Sequence, residues 1–415
     1  MFYNMEMEKI ITNENLIKKA LGRSVDVVYP SRQELEKSLA GGKKMRIYLG
    51  IDPTGTHLHF GHVTNLLVLR RFQELGHEII LLIGDFTARI GDPTDKLSPR
   101  QPLTAEQVLE NFKTFKKQAS KIIKFSGPNK AQVKFNSKWL GKMTFADIIK
   151  LAQHITVQQM MQRDMFQERM KSDKPIGAHE FFYPMMQGYD SVVMDVDMEI
   201  GGTDQTFNML MGRDLQKIYN NKEKFVLTTK LLVNPKTGKK LMNKSEGGLI
   251  NLDDAPGDMF GKIMAIDDAA MFALAEYSTE MPMEEIDKLK SGMAADKISP
   301  KDVKLKIAFA AVELIYGKSV GEKAQKEFVS VVSNKEIPKE VINYKLKVKS
   351  LLLVDLLVEV EFAVSKSEAR RVIEQGGVKI NGEKQNDPNR IFELDIEKEI
   401  LLQVGKRKFL KIRGS

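Results

Sequence analysis

Three of the chain's six histidines fall within six residues, in His57-Leu58-His59-Phe60-Gly61-His62. Two chemistries suit such a cluster. Histidines close in sequence ligate zinc, but no nearby acid is spaced to complete a ligand set, and a glycine stands among them. The other chemistry uses a helix N-terminus, where exposed N–H groups and the helix dipole favour a phosphate. His59 and His62, at i and i+3, would share one face beside it, and Gly61 would let a flat ring such as adenine lie against bare backbone. That favours a nucleotide over a metal. Far downstream, Thr237-Gly238-Lys239-Lys240-Leu241-Met242-Asn243-Lys244-Ser245-Glu246-Gly247-Gly248 is a polar, glycine-flanked loop with lysines at both ends. A loop of this kind can bring Lys244 onto a developing pyrophosphate and stabilise transition-state charge.

The elements around the histidines are legible. Met45–Ile51 is an apolar, β-branched run that ends at Asp52-Pro53-Thr54-Gly55, a strand followed by a turn. Val63, Leu66, Leu67, Val68, Phe72 and Leu75 keep helical spacing and Gly76 stops them. Glu78–Gly84 is a near-continuous apolar strand of the kind buried in parallel sheets. Strand, helix and strand in this order form a βαβ unit, so the fold class is α/β with a parallel, Rossmann-like sheet. Thr104 and Gln107 make a capping-box pattern, and the helix after them is expected to place Leu109, Phe112, Phe115, Ala119 and Ile122 on one side. Residues 1–43 and 146–170 read as helical, with Met160, Met161 and Met165 as core or interface filler. From Asp253 to about Ser333 helices follow one another, broken at Pro282, Pro300 and Gly317.

Composition narrows the classes. At 42% hydrophobic and 29% charged residues, the 415-residue chain is that of an ordinary globular protein. Without cysteine, disulfides, thiolate zinc sites, iron–sulfur clusters and a cysteine nucleophile are excluded. No apolar run reaches the roughly 20 residues of a membrane helix, and the N-terminus lacks an apolar signal segment, so a cytoplasmic protein is expected. The net charge of +9 is uneven. Asn111–Ala146 carries nine lysines and no acid, and Lys345–Ser415 holds 15 basic against 11 acidic residues. Single charge runs are usually solvated faces; two separate ones point toward a large polyanion.

Taken together the motifs resemble a known family. His59–His62 and Leu241–Ser245 are similar to the HIGH and KMSKS signatures of class I aminoacyl-tRNA synthetases. Between them, Tyr48–Thr54, Gly91–Thr94, Tyr183–Asp190 and Gly201–Gln205 resemble the tyrosyl-tRNA synthetases in particular, in the family's order. The resemblance implies that Tyr48 and Asp190 hold the phenolic hydroxyl of tyrosine. Asp92, Tyr183 and Gln187 would hold its α-ammonium group, with Gln205 orienting it. It also implies that Asp204 binds the ATP ribose beside Gly61, that Lys96 and Arg100 reach the pyrophosphate with Lys244 and Ser245, and that His59, His62 and Lys244 carry catalysis. ATP would be a substrate with Mg²⁺, and no protein-bound metal is expected. Tyrosyl-tRNA synthetases are themselves the reference case for a site that hydrogen-bonds a hydroxyl, rejecting phenylalanine by about 10⁵ without editing. Two departures stand out: Leu241 and Asn243 replace a lysine and a serine of the second signature, leaving Lys239 or Lys240 to supply charge. Glu199 stands where the family often has glutamine.

At the other end, Ser365–Arg371 followed by Gly376–Gly382 resembles the RNA-binding fold first seen in ribosomal protein S-four. A short helix would present Lys366, Arg370 and Arg371 to phosphates, giving salt-dependent backbone binding with little base reading. The organisation expected is a catalytic domain at 1–235 with an inserted helical dimerisation region, a loop and helical domain at 236–333, a linker at 334–349 and an RNA-binding domain at 350–415. The resemblance implies a homodimer that joins tyrosine to its tRNA in two steps. A nucleotidyltransferase could share His59–His62 but would not carry Tyr183–Asp190 and the basic tail together. A non-catalytic RNA-binding derivative would be expected to lose site residues that are present here. Neutralising Lys113, Lys116 and Lys117 should weaken tRNA charging while sparing ATP–pyrophosphate exchange; unchanged charging would return these lysines to a solvated face.

Overall fold

The computed structural model describes residues 10–94, 103–242, 248–333, 341–346, 348, 350–393, 399–405 and 408–414. Of the expected site residues, Lys96, Arg100, Lys244 and Ser245 lie outside these. By compactness the chain forms two units. One comprises residues up to Ala255 together with Lys262–Lys318, and the other Pro256–Gly261 with Ser319–Ser415.

The first unit is organised by a six-stranded sheet in the order β1-β6-β5-β2-β3-β4. Its strands are β1 (Val25–Tyr29), β2 (Arg46–Ile51), β3 (Glu78–Ile83), β4 (Gln132–Phe135), β5 (Met198–Gly202) and β6 (Phe225–Thr229). β2 runs parallel to both β3 and β5, β3 to β4, and β5 to β6; β1 alone is antiparallel, along the edge of β6. The expected parallel α/β sheet is therefore present. The chain leaves β2 toward β3 and β4 on one side, then returns to β5 and β6 on the other. This places a topological switch point between β2 and β5, where open α/β sheets hold ligands outside the strands' carboxyl ends.

β3 is buried on both faces, which is why it reads as a continuous apolar run. The Phe60–Glu74 helix crosses from β2 to β3 and buries Val63, Leu66, Leu67 and Phe72. Tyr48, Ile80, Leu82, Met194 and Val196 form a compact cluster against Trp139. The N-terminal segment is not wholly helical. Its β-branched Val25-Asp26-Val27-Val28 run forms β1 between the Glu14–Gly22 and Arg32–Ala40 helices.

The lysine-rich region also departs from expectation. It forms two short helices, Ala105–Phe112 and Phe115–Ala119, and Leu109 is exposed because the first helix turns Val108 inward in its place. The Thr104–Gln107 capping box is present. Residues 146–170 likewise divide among the helices Phe145–Ala152, Val157–Met161 and Asp164–Lys171; Thr144 and Thr156 each start a fresh capping box. Met160 and Met165 are buried there with Phe166.

In the second unit, a five-stranded sheet is ordered β10-β9-β12-β13-β7. Its strands are β7 (Ile342–Leu346), β9 (Val378–Ile380), β10 (Glu383–Gln385), β12 (Ile400–Val404) and β13 (Lys408–Gly414), with β8 (Ser350–Leu352) and β11 (Ile391–Glu393) paired separately. β7 pairs parallel with β13, so a strand stands inside the stretch expected to be a linker. Asn381 and Gly382, both at positive φ, make the tight β9–β10 hairpin. The Leu353–Glu359 and Lys366–Glu374 helices pack on this unit's core through Leu353, Leu356, Leu357, Ala369 and Ile373.

Candidate active site

The carboxyl ends of β2 and β5 open into a cavity of about 480 Å³. Tyr48, Asp52, His59, Gly61, His62, Asp92, Tyr183, Gln187, Asp190, Glu199, Asp204, Gln205 and Lys240 all line it. Segments more than 190 residues apart in sequence are thus brought to one place by the switch point.

His59 is the N-cap of the Phe60–Glu74 helix. Its Nδ1 accepts the Gly61 N–H at 3.2 Å, and His62 Nδ1 accepts the His59 N–H at 3.0 Å. Because a backbone N–H can donate only to an unprotonated ring nitrogen, each neutral imidazole carries its proton on Nε2. Burial holds both rings in that neutral form: His59 is lowered to about 4, and His62 well below its ordinary value. They can donate hydrogen bonds without bringing positive charge. A side chain at Gly61 would lie 3.0 Å from the His59 ring and 3.6 Å from Met242 Cγ, so glycine keeps that surface flat. His57 is apart from this pair, bonded to Asp253 at 2.8 Å. Among the described residues no group of three metal-ligating side chains forms.

The segment beyond the lysine loop is tied to the histidines directly. The Phe60 N–H donates to Ile250 O at 3.0 Å, and the Leu252 N–H to Leu58 O at 2.8 Å. Gln118, in the lysine-rich region, accepts the Leu58 N–H and donates to Thr56 O, fixing the turn that leads into the motif. Lys240 directly precedes Leu241. It lines the cavity with its Nζ 2.5 Å from Asp204 Oδ2, whereas Leu241 is buried. Asp204, expected to meet a ribose, holds that lysine here.

The end of the cavity around Asp190 is a hydrogen-bonded lattice. The Asp190 carboxylate accepts from Trp139 Nε1 at 2.7 Å and Asn136 Nδ2 at 3.2 Å, and burial pushes its pKa well upward. Tyr48 is fully buried, with its hydroxyl 3.0 Å from Ser191 Oγ. The Tyr183 hydroxyl donates to Asp52 at 2.8 Å, so its partner is a carboxylate that the motifs had assigned no role. Burial raises both phenols well above their ordinary value, so both stay protonated. Asp92 accepts from Gln205 Nε2 at 2.8 Å, and Asn208 bridges Gln205 and Gln187. Asp52, Asn136, Trp139, Ser191, Asn208 and Lys224 were missed by reading motifs. Only Asp52 lay within a quoted motif; the others become polar partners through folding alone.

In the second unit Lys366, Arg370 and Arg371 are all exposed on the Lys366–Glu374 helix. Lys366 Nζ lies 2.7 Å from Asp355, and Lys411 and Arg413 both meet Glu399. Arg370 and Arg371 point outward, as does Lys379.

A family model for tRNA synthetases class I (W and Y) matches residues 40–333. The chain belongs to the class I tRNA synthetases. A second model, for a tyrosine–tRNA ligase C-terminal domain, matches residues 334–412 of this synthetase. The tyrosine–tRNA ligase of Carboxydothermus hydrogenoformans is 43% identical, over 94% of this chain and 96% of its own. That of Thermotoga maritima is 42% identical, over 97% and 98%. Among solved structures, a C-terminally truncated mitochondrial tyrosyl-tRNA synthetase from Aspergillus nidulans superposes with a TM-score of 0.63 at 22% identity, covering 77% of this chain and 93% of that one. The synthetase from Archaeoglobus fulgidus, solved with L-tyrosine, gives 0.59 at 22%, covering 75% and 99%. At that identity the superpositions establish the shared fold.

The buried histidines set a pH dependence of stability. In the unfolded chain they take up protons near 6.5, whereas folded His59 and His77 resist until about 4. The unfolded state therefore binds more protons in between, and stability present above 6.5 is lost as pH falls toward 4. The melting temperature should drop from pH 7.5 to pH 5, and less so for His77→Gln. A melting temperature constant over that window would contradict the assignment.

Proposed function

We propose that this chain is a tyrosine–tRNA ligase. It activates L-tyrosine with ATP to tyrosyl-adenylate and pyrophosphate, then transfers tyrosine to the terminal ribose hydroxyl of its tRNA. The observation that carries the reading is the single cavity lined both by the helix N-terminus of His59, Gly61 and His62 and by the Tyr48, Tyr183, Gln187 and Asp190 set. One part suits the phosphates and adenine of ATP, the other an amino acid with a hydroxyl on its ring. The named activity of the curated relatives, matched over nearly the whole chain, supports it.

In this reading the tyrosine carboxylate attacks the ATP α-phosphate in line, and no side chain acts as a nucleophile. Catalysis is positioning and charge stabilisation. His59 and His62 donate Nε2–H bonds to phosphate oxygens. Lys244, with Ser245, comes in from the loop, and Lys96 and Arg100 meet the pyrophosphate. Lys240 exchanges Asp204 for phosphate when Asp204 takes the ribose. ATP arrives as its magnesium complex. Tyr48 and Asp190 read the phenol, while Asp92, Gln187 and Tyr183, the last set by Asp52, surround the ammonium with Gln205 behind them. A cation among carboxylates and a buried hydroxyl with both donor and acceptor are well matched.

Arg370 and Arg371 grip the tRNA backbone, helped by Lys366 once it leaves Asp355. The functional synthetase is a homodimer in the cytoplasm. Phe145, Ile149, Val157, Val193 and Ile218 are exposed apolar side chains on helices between β4 and β6, which a second copy would cover. Purified protein should catalyse ATP–pyrophosphate exchange with tyrosine. If phenylalanine or tryptophan supported exchange equally well, the amino-acid assignment would be wrong.

A further inference from the structure

Glu199 and Lys224 are opposite charges in direct contact, 2% and 0% exposed, and Glu199 lines the cavity. A pair this deep loses much of its attraction to desolvation, so its use lies in what it orders. Lys224 Nζ also donates to Ser191 Oγ at 2.8 Å, and Ser191 Oγ is 3.0 Å from the Tyr48 hydroxyl. On the other side Glu199 Oε1 accepts from Gln187 Nε2 at 3.1 Å, while Gln187 Oε1 accepts from Asn208 at 3.0 Å. Space for the ammonium is built in: a side chain at Gly212 would stand 2.5 Å from Lys224 Nζ and 2.8 Å from Ser191 Oγ.

The chemistry of the acid matters. A carboxylate only accepts, so Gln187 must turn its NH₂ toward Glu199 and its carbonyl oxygen the other way. That oxygen keeps a lone pair beyond the one Asn208 uses. A glutamine at 199 could accept or donate, and would leave the Gln187 amide free to flip. Lys224 supplies the counter-charge beside that acid.

We propose that the Glu199–Lys224 pair is a positioning device for the amino-acid pocket, fixing Gln187 with its carbonyl oxygen toward the substrate ammonium and Ser191 against Tyr48. This rests on the reading of the cavity as a tyrosine site. Neither residue touches the reacting atoms, so the effect belongs in tyrosine binding and not in ATP binding.

The test compares the full-length wild type, Lys224→Met and the double variant Lys224→Met/Glu199→Gln in tyrosine-dependent ATP–pyrophosphate exchange, with melting temperatures beside the kinetics. Lys224→Met should raise the KM for tyrosine roughly 10- to 100-fold, the loss of a hydrogen bond to a charged group, with the KM for ATP unchanged. The double variant removes the unpaired buried charge, so it should recover melting temperature but retain the high KM for tyrosine. Recovery of both, or a parallel rise in the KM for ATP, would overturn the inference in favour of a purely structural pair. A wild type inert toward tyrosine would instead sink the pocket reading and this inference with it.

Discussion

Asn136 is the joint on which the Asp190 end of the cavity depends. Its Nδ2 donates to Asp190 at 3.2 Å and to Thr87 Oγ1 at 3.0 Å, and its Oδ1 accepts the Phe86 N–H at 2.9 Å. The Thr87 hydroxyl donates a hydrogen bond to Asp52, which in turn accepts one from the Tyr183 hydroxyl. One buried amide thus couples the end of β4, the turn after β3, the end of β2 and the Phe182–Met194 helix. A buried carboxylate without donors would be costly. Trp139 and Asn136 supply them, and Asp190 can face the cavity as a polar group inside an apolar cluster. Gly84 belongs to this constraint, since a side chain there would fall 1.9 Å from Asp52 Oδ1.

In the proposed reading, the end of the cavity that takes the phosphates is built on different physics. A helix N-terminus offers free N–H groups and a partial positive charge, and the two histidines extend it with neutral donors. Cationic imidazoles would be attracted to ATP before the reaction begins. Neutral ones, held so by burial, favour the geometry of the developing charge over the mere presence of an anion. Among the described lysines, Lys240 brings positive charge to the cavity, beside Asp204.

Much of this was legible in the sequence. Strand, helix and strand around His59–His62 follow from the apolar run at Met45–Ile51, the helical spacing after it and the buried run at Glu78–Gly84. Tyr48, Tyr183, Gln187, Asp190 and Gln205 were found because they sit in ordered motifs. What stayed hidden is instructive. β1 lay inside a charged segment that reads as helical, and its identity is decided by an edge pairing with β6 that local pattern does not reveal. β7 was hidden in the same way, by a parallel partner some 70 residues away. Asn136, Trp139, Ser191 and Lys224 are ordinary polar residues until folding places them against a carboxylate or a phenol, since hydrogen-bond partners distant in sequence leave no periodicity.

In the proposed function Asp190, held by Asn136 and Trp139, reads the hydroxyl of the amino acid. The most direct measurement is the ratio of kcat/KM for tyrosine to that for phenylalanine, in ATP–pyrophosphate exchange, for Asp190→Asn against the wild type. The ratio should fall at least about tenfold, because the acceptor that distinguishes a phenol from a bare ring is weakened, while the phenylalanine value changes little. Equal losses for both amino acids, leaving the ratio intact, would contradict it.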